Sequence, residues 1–144
     1  MLTGKLCYLF DAECDKDESY SLLGAENFRS AADLGAYNGD TVRELLGYSP
    51  KIERIHAFEP DRRNFRKLTE YATALREAGD TLTVHPVQAG AWSHTATLIF
   101  HGSGNRNAGV DTEGKARRTI EVKALAIDDR KAGERVDYIK YDVE

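Results

Sequence analysis

Two segments, residues 31–41 (AADLGAYNGDT) and 56–61 (HAFEPD), constrain the fold of this chain more than any other feature. The apolar residues that open the first segment predict a buried strand, and Gly35 and Gly39 then bracket a turn that admits close approach of the backbone to a ligand. The apolar run that leads into the second segment predicts another strand, which stops at Glu59. With a helix between the two strands, the pattern predicts a β-α-β unit that carries a carboxylate at the carboxyl end of its second strand.

The two helices that follow these strands have recognisable ends. Asp40 or Thr41 is a suitable N-cap for the first helix, and Gly47 is the type of residue that comes just after a helix. Pro60 supplies the fixed φ that the first turn of the second helix accepts, and Gly79 closes that helix. Apolar residues at helical spacing predict one buried stripe on each helix: Val42, Leu45 and Leu46 on the first, and Phe65, Leu68, Ala72 and Leu75 on the second.

The glycine turn and Glu59 predict a site for an adenosine-bearing cofactor, because a carboxylate in that position accepts hydrogen bonds from the ribose hydroxyls. The G-x-x-x-G spacing differs from the G-x-G-x-x-G of dinucleotide sites, and Asp40 stands where a phosphate-binding loop needs a lysine. Asp33 and Asp40 place negative charge where a pyrophosphate would be repelled. A sulfonium cation without phosphate suits this turn better, and S-adenosylmethionine fits that description.

Later segments extend the predicted sheet. Residues 82–87 are typical of a third strand, and Pro86 places that strand at an edge because proline cannot donate to a central ladder. Residues 96–100 and 119–123 predict an antiparallel hairpin around a polar, glycine-rich loop. Residues 136–142 predict a fourth parallel strand, whose carboxyl end meets the ligand crevice beside the first strand.

The residues quoted so far resemble a known family. DLGAYNGDT (33–41) resembles the first motif of the class I methyltransferases, and IDDRKAGERVDYIKYDVE (127–144) resembles the signature of the FkbM family, in which an LDD segment precedes a strand that ends in D-[VI]-E-G. The resemblance covers residues 31–144, although Tyr37 and Asn38 depart from the family pattern. It implies a Rossmann-like class I sheet of strand order 3-2-1-4-5-7-6, which also puts the third strand at an edge.

The chain stops where the next glycine of the family would stand. We therefore expect an α/β fold with an incomplete class I sheet, about four parallel strands plus a β-hairpin insertion, in a fragment of a longer protein. Residues 1–28 are expected to form an N-terminal extension that only packs against the domain, or else covers the cofactor or meets the acceptor. Residues 29–144 are expected to form the S-adenosylmethionine-binding domain without its C-terminal part. The uncovered edge at residues 136–143 then favours a homodimer, exchange of elements or low stability.

Asp142 is the predicted catalytic residue, and it orients the methionine amino group, contacts the acceptor hydroxyl or accepts its proton; the alternative is that it only caps a following helix. His101 is a weaker candidate for a general base, and His56 is expected to be structural. Trp92 offers a ring face to the adenine or packs in the core. No metal site is predicted. The cofactor-binding residues implied are Asp33, Gly35, Tyr37, Asn38, Gly39, Thr41, Glu59, Pro60, Ala89, Gly90, Ala91, Trp92 and Asp142.

Composition narrows the class of protein. The length of 144 residues fits one domain, and the net charge of −4 argues against the basic stripe of a nucleic-acid-binding protein. Cys7 and Cys14 are too few and too widely spaced for the common zinc patterns, which favours reduced cytoplasmic thiols. No apolar run reaches the length of a membrane span, so neither a span nor a signal peptide is expected.

These observations predict an S-adenosylmethionine-dependent methyltransferase that acts on a hydroxyl of a small molecule, sugar or lipid-linked glycan, where the acceptor class comes from the resemblance alone. A non-catalytic domain that binds an adenosine cofactor, or an inactive fragment, is the alternative. An NAD-dependent oxidoreductase is disfavoured by the glycine spacing.

Overall fold

The structure, a computed structural model, describes residues 14–102, 118–126 and 135–142. A parallel sheet forms its centre, with helices on one face and a smaller sheet on part of the other. The elements in chain order are α1 (Lys16–Leu22), a 3-10 turn (Ala25–Asn27), β1 (Ser30–Leu34), α2 (Asp40–Tyr48), β2 (Arg54–Phe58), α3 (Arg62–Glu77), β3 (Thr83–Val87), β4 (Gly90–Trp92), β5 (Ala96–Gly102), β6 (Arg118–Ala126) and β7 (Tyr138–Tyr141).

The central sheet has the strand order β3-β2-β1-β7, and all three strand pairs are parallel. Ala31 is in register with Ile55 on β2 and with Tyr138 on β7, so the carboxyl ends of these three strands meet at one edge. β3 lies at the outside of the sheet, and its Pro86 is opposite Ala57. The predicted Rossmann-like class, the edge position of the third strand and the parallel fourth strand are confirmed.

The core lies on both faces of β1, which is buried at all five positions, as a strand inside a parallel sheet must be. On the helical face, Ala31 and Ile55 pack with Val42, Leu45 and Leu68 from α2 and α3. Each large apolar side chain buried in this way contributes about 1.5–3 kcal/mol. The opposite face has a separate cluster under the smaller sheet: Ala32, Leu34, Phe58, Val87, Ala89 and Ala91.

The helix α1 packs against the same helical face. Its Tyr20 is buried and stacks on Tyr48 of α2, with ring centroids 4.3 Å apart, and Lys16 pairs with Glu44 of α2 at 2.6 Å. Residues 1–13 of the expected N-terminal extension lie outside the described residues. The division of the chain at residues 28 and 29 stays a prediction.

The smaller sheet has the order β4-β6-β5, and β5 and β6 form the predicted antiparallel hairpin with Thr97 opposite Lys123. The strands are longer than predicted: His101 and Gly102 continue β5, and Arg118 begins β6, so the loop between them is shorter at both ends. The sequence did not predict β4, which pairs in parallel with β6.

The predicted ends of α2 are wrong. The N-cap is Gly39, and Asp40 is the first helical residue, where its carboxylate accepts a hydrogen bond from the backbone amide of Thr41 over 2.9 Å. Gly47 lies inside the helix, which continues to Tyr48 because that ring packs on the core and on α1. Tertiary packing thus outweighs the cost of a helical glycine, about 1 kcal/mol.

The start of α3 also differs from the prediction. The helix begins at Arg62 with Asp61 as its N-cap, so Pro60 lies outside it. The Asp61 carboxylate accepts hydrogen bonds from the backbone amides of Arg63 and Asn64, at 2.9 Å each. The predicted end is confirmed, since the helix stops at Glu77 and Gly79 adopts a φ of +77°. Within the described residues, no helix combines the length and the apolar character needed to cross a bilayer.

Candidate functional site

The glycine turn after β1 sits at the carboxyl edge of the central sheet. The backbone amides of Gly35 and Ala36 donate to the carbonyl of Phe58, at 3.0 and 2.8 Å, which fixes the turn to the end of β2. Gly35 and Gly39 have φ angles of +95° and +88°, and Tyr37 between them has a φ of +48°. Such left-handed backbone is unusual for tyrosine, and it persists only where the surroundings hold it.

The carboxylate of Glu59 holds this turn. Its Oε2 accepts a hydrogen bond from the Tyr37 amide at 2.8 Å, and its Oε1 accepts one from the Asp61 amide at 2.8 Å. The side chain is 6% exposed, and burial raises the pKa of Glu59 while the two amides oppose that rise. A carboxylate has about four lone-pair sites, so Glu59 retains acceptor capacity for a ligand.

Contacts from α2 and α3 also hold the glycine turn in place. The Arg43 guanidinium donates to the carbonyl of Asn38 at 3.1 Å and lies over the ring of Tyr71, 3.9 Å from its centroid. Gly39 is packed below this ring: a Cβ added to it would lie 2.9 Å from Cδ1 of Tyr71 and 3.3 Å from Cδ1 of Leu68. The missing side chain of Gly39 therefore makes room for α3.

Three charged side chains meet where β1 and β7 end. Asp33 is 0% exposed, and neither of its carboxylate oxygens has a hydrogen-bond partner in the described part of the chain. The ammonium of Lys140 lies 3.8 Å from Oδ1 of Asp33 and 3.2 Å from Oδ2 of Asp142. Burial raises the pKa of Asp33 to about 6, and the charge of Lys140, followed by the side chain of Thr41, opposes that rise.

The backbone of Asp142, the predicted catalytic residue, is held by a hydrogen bond, whereas its side chain is exposed. Its amide donates to the carbonyl of Leu34 at 2.9 Å, which extends the pairing of β7 with β1 by one step. Its side chain is 67% exposed and bonds to Lys140. Asp142 is therefore accessible to a ligand at the switch point of the sheet, where open α/β folds bind their ligands.

Two clefts flank the glycine turn. One, of about 310 Å³, lies on the β7 side, and its walls come from α1, the start of α2 and β7: Lys16, Tyr20, Asp40, Thr41, Glu44, Tyr138 and Lys140. The other, of about 290 Å³, lies beyond the ends of β2 and β3 and is closed by β6: Pro60, Gln88, Glu121, Val122 and Lys123.

The remaining predicted cofactor residues, 89–92, follow β3 and form most of β4. Ala89 and Ala91 are buried against the central sheet, so their side chains serve the core. Gly90 is partly buried and pairs with β6, while the Trp92 side chain is 50% exposed. Packing of Trp92 in the core, which the sequence favoured over a ligand contact, is wrong, because half of the residue is exposed.

The histidines considered as candidates take no clear catalytic position. His56 stacks on His85 of the neighbouring strand, with ring centroids 5.0 Å apart, in keeping with a structural role. His101 belongs to β5 by its backbone. Among the residues that the structure describes, no group of three or more potential metal ligands occurs.

Two charged residues of the site were missed by sequence reasoning. Lys140 stands two residues before Asp142 in a strand, and the alternation of side chains alone would have placed both on one face. Arg43 gave no comparable signal, because its contacts with Asn38 and Tyr71 depend on how α3 packs against α2.

Comparison with known structures supports the fold. The chain is similar to the crystal structure of the methyltransferase FkbM from Methylobacillus flagellatus KT, with a TM-score of 0.59 and 23% sequence identity. The match covers 81% of this chain and 26% of that chain, so the present chain spans about a quarter of the length of that protein. No curated protein sequence matches the chain significantly.

Comparison with protein families is more direct. The model of the methyltransferase FkbM domain matches residues 33–144, a range that begins at Asp33 and includes the glycine turn, Glu59 and Asp142. The matched range is well over half of the 144 residues. The chain therefore belongs to the FkbM methyltransferase domain family.

Proposed function

We propose that this chain is the cofactor-binding part of an S-adenosylmethionine-dependent methyltransferase that methylates a hydroxyl of a small molecule, sugar or lipid-linked glycan. The observation that carries the proposal is the buried carboxylate of Glu59, which ends β2 and holds the glycine turn through the amide of Tyr37. The family match supports methyl transfer as the reaction class. The acceptor class rests on resemblance to the family.

The residues present fit a cationic cofactor without phosphates. Asp33 is a buried carboxylate with the ammonium of Lys140 at 3.8 Å and the side chain of Thr41 beside it, and its oxygens keep acceptor capacity for a cationic ligand. Asp40 and Asp142 add negative charge nearby, and both contribute to the raised pKa of Asp33 behind the larger effect of burial. A pyrophosphate would be repelled here, whereas the ammonium and sulfonium groups of S-adenosylmethionine would be attracted.

Different residues along the crevice are candidates to contact the ribose, the methionine end and the adenine of the cofactor. Glu59 would accept hydrogen bonds from the ribose hydroxyls. Asp33 and Asp142 would hold the methionine end, near the cleft on the β7 side. Pro60 and the exposed ring of Trp92 would border the adenine end, the former in the cleft closed by β6.

S-adenosylmethionine supplies an electrophilic methyl group when it is bound. The protein has to align the acceptor oxygen with that group at near-attack distance, and no covalent nucleophile is needed. In this proposal Asp142 would take the proton of the acceptor hydroxyl at its exposed carboxylate.

Calorimetry with S-adenosylhomocysteine and with NAD tests this proposal. We expect the folded chain to bind S-adenosylhomocysteine and to bind NAD poorly, because the turn lacks the glycine spacing for a pyrophosphate. Folded protein that binds neither ligand, or that binds NAD equally well, would contradict the proposal. Transfer of a labelled methyl group then separates an enzyme from a domain that binds the cofactor without turnover.

A further inference from the structure

We propose that Lys140 is a positioning residue of the candidate cofactor site, whose ammonium group links Asp33 to Asp142 across the end of β1. The proposal rests on the proposed function, because the role of the three residues is to present carboxylates to a cationic ligand. The two contacts are 3.8 Å to Asp33 and 3.2 Å to Asp142. One cation thus joins a buried carboxylate to an exposed one.

The sheet register explains why these groups meet. Asp33 and Lys140 are opposite each other in the parallel pair of β1 and β7, so their side chains leave the sheet side by side. Asp142 follows Lys140 by two residues and therefore points to the same face. Its backbone amide is held by the carbonyl of Leu34, which fixes its distance from Lys140.

Burial makes the cation necessary. An ionised carboxylate that is 0% exposed is strongly disfavoured unless a counter-charge or a donor lies close to it. The other acids near Asp33, Asp40 and Asp142, make its ionisation harder, whereas the charge of Lys140 and, to a smaller extent, the side chain of Thr41 make it easier. Burial lowers the pKa of Lys140, but the two carboxylates outweigh it and raise it overall, so the ammonium stays charged.

The neighbouring elements offer Asp33 no substitute for this cation among the described residues. Lys16 of α1 is already paired with Glu44 of α2 at 2.6 Å. The titratable groups that line the adjoining cleft from α1, α2 and β7 are Lys16, Tyr20, Asp40, Glu44, Tyr138 and Lys140.

The consequence is a pH dependence that a purely structural lysine would not produce. Near neutral pH, loss of Lys140 lets Asp33 take up a proton, so the ammonium group of the bound ligand, which S-adenosylmethionine and S-adenosylhomocysteine share, loses one charged partner. At higher pH Asp33 is ionised with or without Lys140, and the variant then binds as well as the wild type or better, because the competing ammonium is gone. The ligand affinities of the wild type and of the Lys140 variant are therefore expected to become equal, or to change order, as the pH rises.

The test follows the carboxyl carbon of Asp33 by NMR in ligand-free protein, together with binding of S-adenosylhomocysteine by calorimetry. Both are measured between pH about 4 and about 9, a range that begins about two units below the Asp33 pKa of about 6. Lys140→Met should raise the titration midpoint of Asp33, and the pH at which binding is half lost, by about one unit. Lys140→Arg should keep both near the wild-type values. Lys67→Met, an exposed lysine on α3, is the matched control.

An Asp33 midpoint that is unchanged in Lys140→Met would overturn the proposal. Failure of the wild type to bind S-adenosylhomocysteine would instead count against the proposed function, since the NMR titration needs no ligand. If Lys140→Met does not fold, the ammonium nitrogen of Lys140 in the wild type decides: a shift at the midpoint of Asp33 supports the link, and a flat response refutes it.

Discussion

The carboxylate of Glu59 accepts a hydrogen bond from the backbone amide of Tyr37 at 2.8 Å, so the residue that ends β2 fixes the turn that follows β1. The same carboxylate also accepts from the amide of Asp61, just before α3. Glu59 thus connects two loops by hydrogen bonds and is also a candidate ribose ligand. Its substitution is expected to affect both the turn and the ligand.

Glu59→Ala should weaken the binding of S-adenosylhomocysteine by about 1.5–3 kcal/mol, the scale for hydrogen bonds to a charged group. Glu59→Gln should retain only part of the affinity, because its amide nitrogen would face one of the two backbone donors. Calorimetry measures both effects, with Glu77→Ala at the exposed end of α3 as the control. Equal affinity in wild type and Glu59→Ala would remove Glu59 from the site.

A side chain at residue 39 would be unfavourable for two reasons. Its φ of +88° is strained for any L-residue, and an added Cβ would lie 2.9 Å from the Tyr71 ring. Gly39→Ala should therefore lower the free energy of unfolding by about 1–3 kcal/mol, measured by urea denaturation. Gly24→Ala is the matched control, because Gly24 has a φ of +68° with nothing within 4 Å of the added Cβ.

The steric part of that loss can be isolated. In Gly39→Ala combined with Tyr71→Ala, the closest contact of the added Cβ is removed while the strained φ and the 3.3 Å approach to Leu68 remain, so the double variant should lose less than the sum of the single losses. Identical losses in Gly39→Ala and Gly24→Ala would show that α3 does not constrain the turn.

Asp33 is expected to make stability fall as the pH rises. Its pKa in the folded protein, about 6, is above the ordinary value of 3.8, so the folded state holds the proton more tightly. Stability from this group is fully present below about 4 and is lost as the pH rises through about 6. A shift of about two units corresponds to about 3 kcal/mol.

Asp33→Asn removes this titration while keeping the shape of the side chain. The free energy of unfolding of the wild type minus that of Asp33→Asn should therefore decrease by about 2–3 kcal/mol between pH 4 and 7. Comparison with the variant is necessary because Glu44 and Asp137 have lowered pKa values, and these residues make stability rise over part of the same range. A difference that is constant with pH would show that Asp33 titrates normally.

The central part of the fold was predictable because its signals are local. The left-handed glycines at 35 and 39, the apolar strands and the acid that ends β2 are each encoded within a few residues of where they act. Pro86 identified an edge strand for the same reason, since a missing amide is a property of the residue itself.

The parts that sequence reasoning missed depend on contacts between distant residues. The short strand β4 exists because it pairs with β6, more than 30 residues away in sequence. Gly47 stays helical because Tyr48 packs on Tyr20 of α1. The Lys140 contact with Asp33 joins two strands that only the sheet order brings together.

The outer edge of β7 leads to a prediction about association. In the described part of the chain, β7 has a neighbour on one side only, and its side chains Ile139 and Tyr141 are 52% and 67% exposed. They lie beside Ala32 and Leu34, which are fully buried, so the apolar face of the sheet continues onto an uncovered strand. Parallel strands are normally covered on both faces, and an unpaired edge recruits another chain.

We therefore expect the chain to self-associate through β7, with a sedimentation coefficient that rises with protein concentration. Ile139→Lys should shift the equilibrium toward monomer, because the added charge is costly to bury between two copies of the edge. Leu22→Lys, which removes an apolar side chain that is 78% exposed at the end of α1, is the control and should leave association unchanged. A wild type that sediments as a monomer at every concentration, or equal effects of the two variants, would show that the β7 edge is not the contact surface.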